Sequence, residues 1–156
     1  MRKLIFFTMA SLITCVSLCA AAKITEEDKN KDKKTDFWIY YDDNDKPEKM
    51  ESDRNYDSKI DLWIFYEPKG KRRTLIDLNY DGTPDMFSYF EYGQRVKFEI
   101  DSDYNGTIDQ RSLYQNGRTV KMERDSNNDG VLETLFDISN RQTNVIQKQV
   151  ETTLPE

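Results

Sequence analysis

The sequence predicts an all-β fold, an antiparallel meander of about five tandem β-hairpin repeats with about ten strands and Asp-rich loops along one edge. Three observations predict it. Asp53, Asp77, Asp101 and Asp125 stand 24 residues apart, and each opens the same nine-residue polar segment: DRNYDSKID, DLNYDGTPD, DSDYNGTID and DSNNDGVLE. Between the segments run stretches with the period-2 apolar alternation of strands and no helix-length pattern. Each stretch is split by a turn signal, such as Asn116-Gly117, where both positions favour φ > 0.

Taken in order, residues 1–22 have the layout of a secretory signal peptide. Arg2 and Lys3 precede an apolar run, and Ala20-Ala21-Ala22 supplies small residues for cleavage before Lys23. The run is short for a membrane span, and no later stretch is apolar enough for one. Both cysteines, Cys15 and Cys19, lie inside it, so cleavage leaves a chain without disulfide or thiol chemistry. The alternative is a lipoprotein acylated on Cys19 or Cys15, although Leu18 and Thr14 fit poorly the small residue a lipobox wants. The expected location is the periplasm, the outer membrane or the medium.

Residues 23–27 form a short N-terminal segment, and a single repeat domain spans 28–150 with repeats starting at 28, 53, 77, 101 and 125. The first copy, DKNKDKKTD, is degenerate. In the 77–100 unit, Met86–Phe90 reads as a strand, Tyr92-Gly93 as the turn and Arg95–Ile100 as the second strand. The next unit repeats this with Ile108–Tyr114, Asn116-Gly117 and Thr119–Arg124. Pro68-Lys69-Gly70 and Asn44–Pro47 are the corresponding turns of the earlier copies. Val145, Ile146 and Val150 complete a last strand, and 151–156 is a disordered tail.

Trp38, Trp63, Phe87, Arg111 and Leu135 form one column, and Tyr40, Phe65, Tyr89, Leu113 and Asp137 share its face. The opposite face begins with Phe37, Leu62 and Met86. The columns read as core. The first repeats are apolar on both faces, so the sheet there must be covered on both sides, by curling or by a partner. Arg111 breaks the aromatic column and reads as a solvated substitution where the core thins.

Oxygen-bearing side chains recur at loop positions 1, 3, 5 and 9, and Gly82, Gly106 and Gly130 fill position 6. A hard cation wants that order: alternating oxygens converge on one point, and the glycine permits the bend. The best candidate ligand sets are Asp77, Asn79, Asp81, Asp85; Asp101, Asp103, Asn105, Asp109; and Asp125, Asn127, Asp129, Glu133. Asp53, Asn55, Asp57 and Asp61 form a fourth with Ser58 in place of glycine. The copy at Asp28, crowded by lysines, is expected to bind nothing. The expected cofactor is Ca²⁺ at several sites, with affinities of high micromolar to millimolar grade. Mg²⁺ suits the loops less because it demands a tight octahedron. The opposing reading is a scaffold of Asx turns without metal.

The layout resembles the D-x-[DN]-x-D-G-x-x-D calcium loops, EF-hand-like but feeding a strand, of integrin-type propellers and thrombospondin type 3 repeats. Over residues 28 to about 138 the chain resembles exported bacterial repeat proteins and lipoproteins that combine such loops with an aromatic hairpin. The resemblance implies exported calcium-binding repeats and supplies no activity.

Charge and composition narrow the function. Without Arg2 and Lys3 the chain keeps 21 basic against 29 acidic residues, a net charge of −8, which argues against nucleic acid as partner. Histidine is absent, no nucleophile motif stands out, and the acids are accounted for by the repeat, so an enzyme is not expected. A glycan-acting hydrolase using paired carboxylates is the least favoured reading. The leading one is a calcium-binding structural or binding module meeting a protein or glycan through its aromatic faces or sheet edges. The alternative is a metal-free scaffold or adhesin.

Overall fold

The computed structural model describes residues 23–139. The expected signal peptide, and the last strand and tail expected beyond Asn140, lie outside the described residues. Ten strands form one antiparallel sheet in strict chain order: β1 (Lys23–Glu27), β2 (Phe37–Tyr41), β3 (Pro47–Ser52), β4 (Leu62–Glu67), β5 (Lys71–Ile76), β6 (Met86–Glu91), β7 (Gln94–Ile100), β8 (Gln110–Gln115), β9 (Arg118–Arg124) and β10 (Glu133–Asp137). Among the described residues, no helix is long and apolar enough to cross a membrane.

The polar nonapeptides join β1–β2, β3–β4, β5–β6, β7–β8 and β9–β10, here called loops 1 to 5. They therefore share one edge, and the short hairpin turns share the other. Tyr92-Gly93 and Asn116-Gly117 have positive φ at both positions (49° and 80°, 49° and 74°), the geometry that matches strand twist. Pro68–Gly70 makes a 3₁₀ turn with Lys69 at φ 61°. β1, read from sequence as a segment outside the repeats, pairs along its whole length with β2. It is the incoming strand that loop 1 needs, and its exposed KITEE carried no alternation to reveal it.

The sheet is a single layer in which the main packing contacts join chain neighbours. The sheet does not curl on itself over the first repeats, where β2 is half-buried throughout and cross-strand side chains lie over some of the rings. The register sets Trp38, Glu51, Trp63, Leu75, Phe87, Glu99, Arg111 and Glu123 in one row. Beside it run Tyr40, Lys49, Phe65, Arg73, Tyr89, Lys97, Leu113 and Lys121. Lys49, Arg73 and Lys97 lie over the rings of Tyr40, Phe65 and Tyr89 at 4.9, 4.5 and 3.9 Å. Their long stems cover the rings while the charges stay wet, so the rings need no second layer.

Arg111 is held in this lattice rather than simply solvated. Its guanidinium bonds Glu99 at 2.7 Å and reaches Glu123 at 3.5 Å, while Lys97 and Lys121 bond the same two carboxylates at 2.8 and 2.7 Å. Burial pushes the Glu99 carboxyl up, but Lys97 and Arg111 outweigh it and hold the group below its ordinary value. On the other face Arg72 lies 4.2 Å from the Phe90 ring centre, and Ser88 and Ser112 are buried in the row that carries Phe98 and Met122.

The deepest part of the molecule is not apolar. Among the described residues Val120 is the one buried apolar side chain, beside eight buried aspartates: Asp36, Asp53, Asp61, Asp77, Asp85, Asp101, Asp109 and Asp125. All eight stand at positions 1 or 9 of the loops. The protein spends its most shielded space on carboxylates, so these must be fully hydrogen-bonded to be tolerated.

Candidate metal centre

Each loop is a stack of Asx turns around the position-1 carboxylate. In loop 3, Asp77 accepts the N–H groups of Tyr80 and Gly82, both at 2.7 Å. In loop 4, Asp101 accepts those of Tyr104 at 2.7 Å, Asn105 at 3.2 Å and Gly106 at 2.7 Å. Asp53, Asp125 and Asp28 bond their own loops in the same way, to Ser58 at 2.7 Å, Gly130 at 2.8 Å and Lys33 at 2.8 Å. The position-3 oxygen accepts the N–H of position 5, as Asn79 does from Asp81 at 3.0 Å. The position-5 oxygen accepts that of position 7, as Asp81 does from Thr83 at 2.8 Å.

The position-9 carboxylate closes the loop from behind. Asp36, Asp61, Asp85 and Asp109 each accept the N–H groups of positions 2 and 3, at 2.6–2.9 and 3.2–3.3 Å. Main-chain bonds then tie loop to loop. Asp53, Asp77, Asp101 and Asp125 donate their N–H to the carbonyls of Asp36, Asp61, Asp85 and Asp109 at 2.8–2.9 Å. Two aspartates per repeat thus hold the loop edge together.

Positions 4 and 6 are both left-handed in every loop. Gly82, Gly106 and Gly130 at position 6 have φ 100°, 87° and 84°, and Ser58 and Lys33 take φ 72° and 74° there. Position 4 escaped the sequence reading because it carries no glycine. Lys31, Tyr56, Tyr80, Tyr104 and Asn128 stand there at φ 58–66°.

On this common frame the loops differ in what they gather. In loop 4, carboxylate oxygens of Asp101, Asp103 and Asp109 lie within 4.8 Å of one another, and in loop 5 those of Asp125, Asp129 and Glu133 do. In loop 4 the position-9 carboxylate faces positions 2 and 3, and Asp103 at position 3 supplies the extra charge. In loop 5 the longer, exposed Glu133 takes part. Loops 2, 3 and 5 hold Asn55, Asn79 and Asn127 at position 3, whose amides donate to Asp57, Asp81 and Asp129 at 3.1, 2.9 and 3.1 Å, so loops 2 and 3 differ from loop 5 at position 9, where they have aspartate in place of Glu133. In loop 2 the Arg54 guanidinium is bonded to Asp61, so a protein cation already neutralises the position-9 carboxylate. Loop 1 carries lysines at positions 2, 4, 6 and 7, and Lys34 reaches Ser58 of loop 2 at 3.2 Å.

Two of the loop carboxylates, Asp109 and Asp81, are held below their ordinary values. The Ser102 hydroxyl, 2.5 Å from Asp109, together with the Ser102 and Asp103 N–H groups, holds that carboxyl below its ordinary value against the effect of burial. The Asn79 amide, with Thr83, does the same for Asp81. An ionised carboxylate has about four acceptor sites, and the backbone takes two or three of them, so lone pairs remain for a cation. The donor set is all oxygen, which fits Ca²⁺ rather than softer metals. Between loops 4 and 5 lies a polar groove of about 310 Å³, lined by Ser102, Asp103, Asp109, Arg124, Asp125, Ser126 and Asn128. The Asn128 amide crosses it to Asp103 at 3.4 Å.

The expected face aromatics are largely covered. The large apolar side chains that stay exposed cluster instead on the loops (Tyr56, Leu78, Tyr80, Tyr104), at the Tyr92 turn and near the two edge strands (Ile24, Val131, Leu135, Phe136). No protein-family model matches the chain, and no curated protein or solved structure is significantly similar to it.

Proposed function

We propose that this chain is an exported calcium-binding β-repeat protein, a structural or binding module of the periplasm or cell surface, and not an enzyme. The observation that carries the reading is the convergence of three carboxylates in loop 4, from positions 1, 3 and 9, and again in loop 5, from positions 1, 5 and 9. Asp101, Asp103 and Asp109, and Asp125, Asp129 and Glu133, are the ligands to test first. Asp77, Asn79, Asp81 and Asp85 offer a weaker set, and Asp53, Asn55, Asp57 and Asp61 the weakest, with Arg54 in competition. The lack of histidine and the use of the loop acids as backbone acceptors support a non-catalytic role.

One observation favours a second reading, a scaffold or adhesin whose loops work without metal. Every position-1 carboxylate already bonds backbone N–H groups on both oxygens or on successive residues. Thermal melting with calcium or EDTA separates the two. A ligand at ten times its Kd stabilises by about 1.4 kcal/mol per site, so calcium raises the melt under the first reading. Asp103→Asn with Asp129→Asn removes most of that rise. A melt indifferent to both calcium and EDTA leaves the metal-free scaffold.

A further inference from the structure

Tyr56, Tyr80 and Tyr104 occupy position 4 of loops 2, 3 and 4 and stand in the left-handed region at φ 64°, 63° and 63°. A side chain with Cβ costs about 1–2 kcal/mol there, least for Asn and nothing for Gly. Loop 5 has Asn128 at the same place with φ 58°, so the turn does not require a ring. The frame imposes this φ in all five loops, Lys31 of loop 1 included, so a ring kept there in three of them, at a surface position where asparagine would sit with less strain, points to use rather than to packing. The rings gain little from burial, since they remain 46, 43 and 47% exposed. Among the described residues, none carries a cation over its ring, unlike the aromatics of the sheet faces.

Successive loops are two strands apart, so the rings repeat every ~10 Å in single file along the loop edge. A partner that meets all three must be a linear polymer with a flat, weakly polar face at that period. We propose that the Tyr56–Tyr80–Tyr104 row binds a neutral β-linked glycan. An extended β-1,4 chain turns the same face outward at every second sugar, a distance close to the strand-pair repeat. The C–H face of a pyranose suits a tyrosine ring, and the exposed side chains of Asn55, Asn79, Asp81, Asp103 and Asn105 flank the row with groups for its hydroxyls. The net charge of −6 disfavours anionic polymers. A proline-rich peptide docks in aromatic-lined grooves, whereas these rings stand one per loop. The inference rests on the binding-module reading and names its partner class. It does not need the cation.

Affinity electrophoresis and calorimetry with cello- and chito-oligosaccharides of increasing length test it, on the purified protein in both calcium and EDTA. Binding is expected to strengthen with length until the oligomer spans the row. Tyr80→Asn is expected to weaken it by roughly tenfold. The same substitution is expected to leave the melt unchanged or higher, because Asn is at ease at this φ. Absence of binding to either oligosaccharide series overturns the proposal, as does unchanged binding by Tyr80→Asn or binding of a proline-rich peptide in their place. A lower melt for the triple Asn variant also overturns it, making the rings spacers between loops. A calcium-dependent melt without glycan binding would sink this inference alone and leave the cation reading standing.

Discussion

Loops 2 and 4 share one backbone and differ in the charges they gather. Both have a buried aspartate at position 1, a buried aspartate at position 9, left-handed residues at positions 4 and 6 and the same main-chain bond to the neighbouring loop. Loop 2 sets Arg54 against its position-9 carboxylate and forces Ser58 into φ 72°. Loop 4 sets Ser102 in the place of Arg54, adds Asp103 and gives position 6 to Gly106. The difference teaches that the fold is carried by positions 1 and 9, while the number of carboxylates gathered is set elsewhere, by positions 2 and 3 in this pair and by Asp129 and Glu133 in loop 5. One pattern of aspartates thus serves two ends that mutation can separate.

The largest effect should come from the shared part. Asp53→Ala and Asp101→Ala each remove a buried acceptor from two or more loop N–H groups, and a hydrogen bond to a charged group is worth ~1.5–3 kcal/mol. Urea unfolding in EDTA should show losses of similar size in both variants. A silent Asp53→Ala beside a damaging Asp101→Ala would break the claim that one scaffold underlies both loops. Next in size is an exchange of character. Arg54→Ser with Asn55→Asp should give loop 2 a calcium-dependent gain in stability, and Asp103→Asn should cost loop 4 its own, each near 1.4 kcal/mol at about ten times Kd.

A smaller effect isolates the backbone. Ser58→Gly should stabilise by ~1 kcal/mol, and Gly106→Ser should destabilise by about as much, since a Cβ at Gly106 meets nothing within 4 Å and only φ is at issue. Equal melts for both would show that the left-handed turn at position 6 is not where the loops differ. The smallest concerns pH. Asp109 has its folded pKa below the ordinary 3.8, so its contribution is present above that value and is lost as pH falls through the folded pKa. Ser102→Ala in EDTA should move this loss to higher pH, read from the carboxyl ¹³C shift of Asp109.

Much of this was legible in the residues. The period of 24, the alternation and the Asn-Gly and Tyr-Gly turns gave the sheet, its order and its two edges, because each is a local signal repeated in register. β1 stayed hidden, since its exposed residues carry no apolar alternation and only pairing with β2 defines it. The oxygen-bearing positions were plain, but their division of labour was not. That Asp85 and Asp109 turn back to bond positions 2 and 3, away from position 5, depends on backbone directions that spacing does not encode. The left-handed tyrosines were missed for a similar reason. Glycine marks such a position in a sequence, and a ring there looks like core. That the sheet stays open was not legible either, because the lysine and arginine stems that lie over the rings sit on neighbouring strands and read from sequence as solvent-facing.

The most direct test is a calcium titration followed at single amides by NMR. The Gly106 and Gly130 signals, from the loops that gather three carboxylates, are expected to move together at the lowest calcium, with Gly82 later and Ser58 last or not at all. Signals that all stay still, or all move alike, would contradict the division between scaffold and cation site drawn from loops 2 and 4.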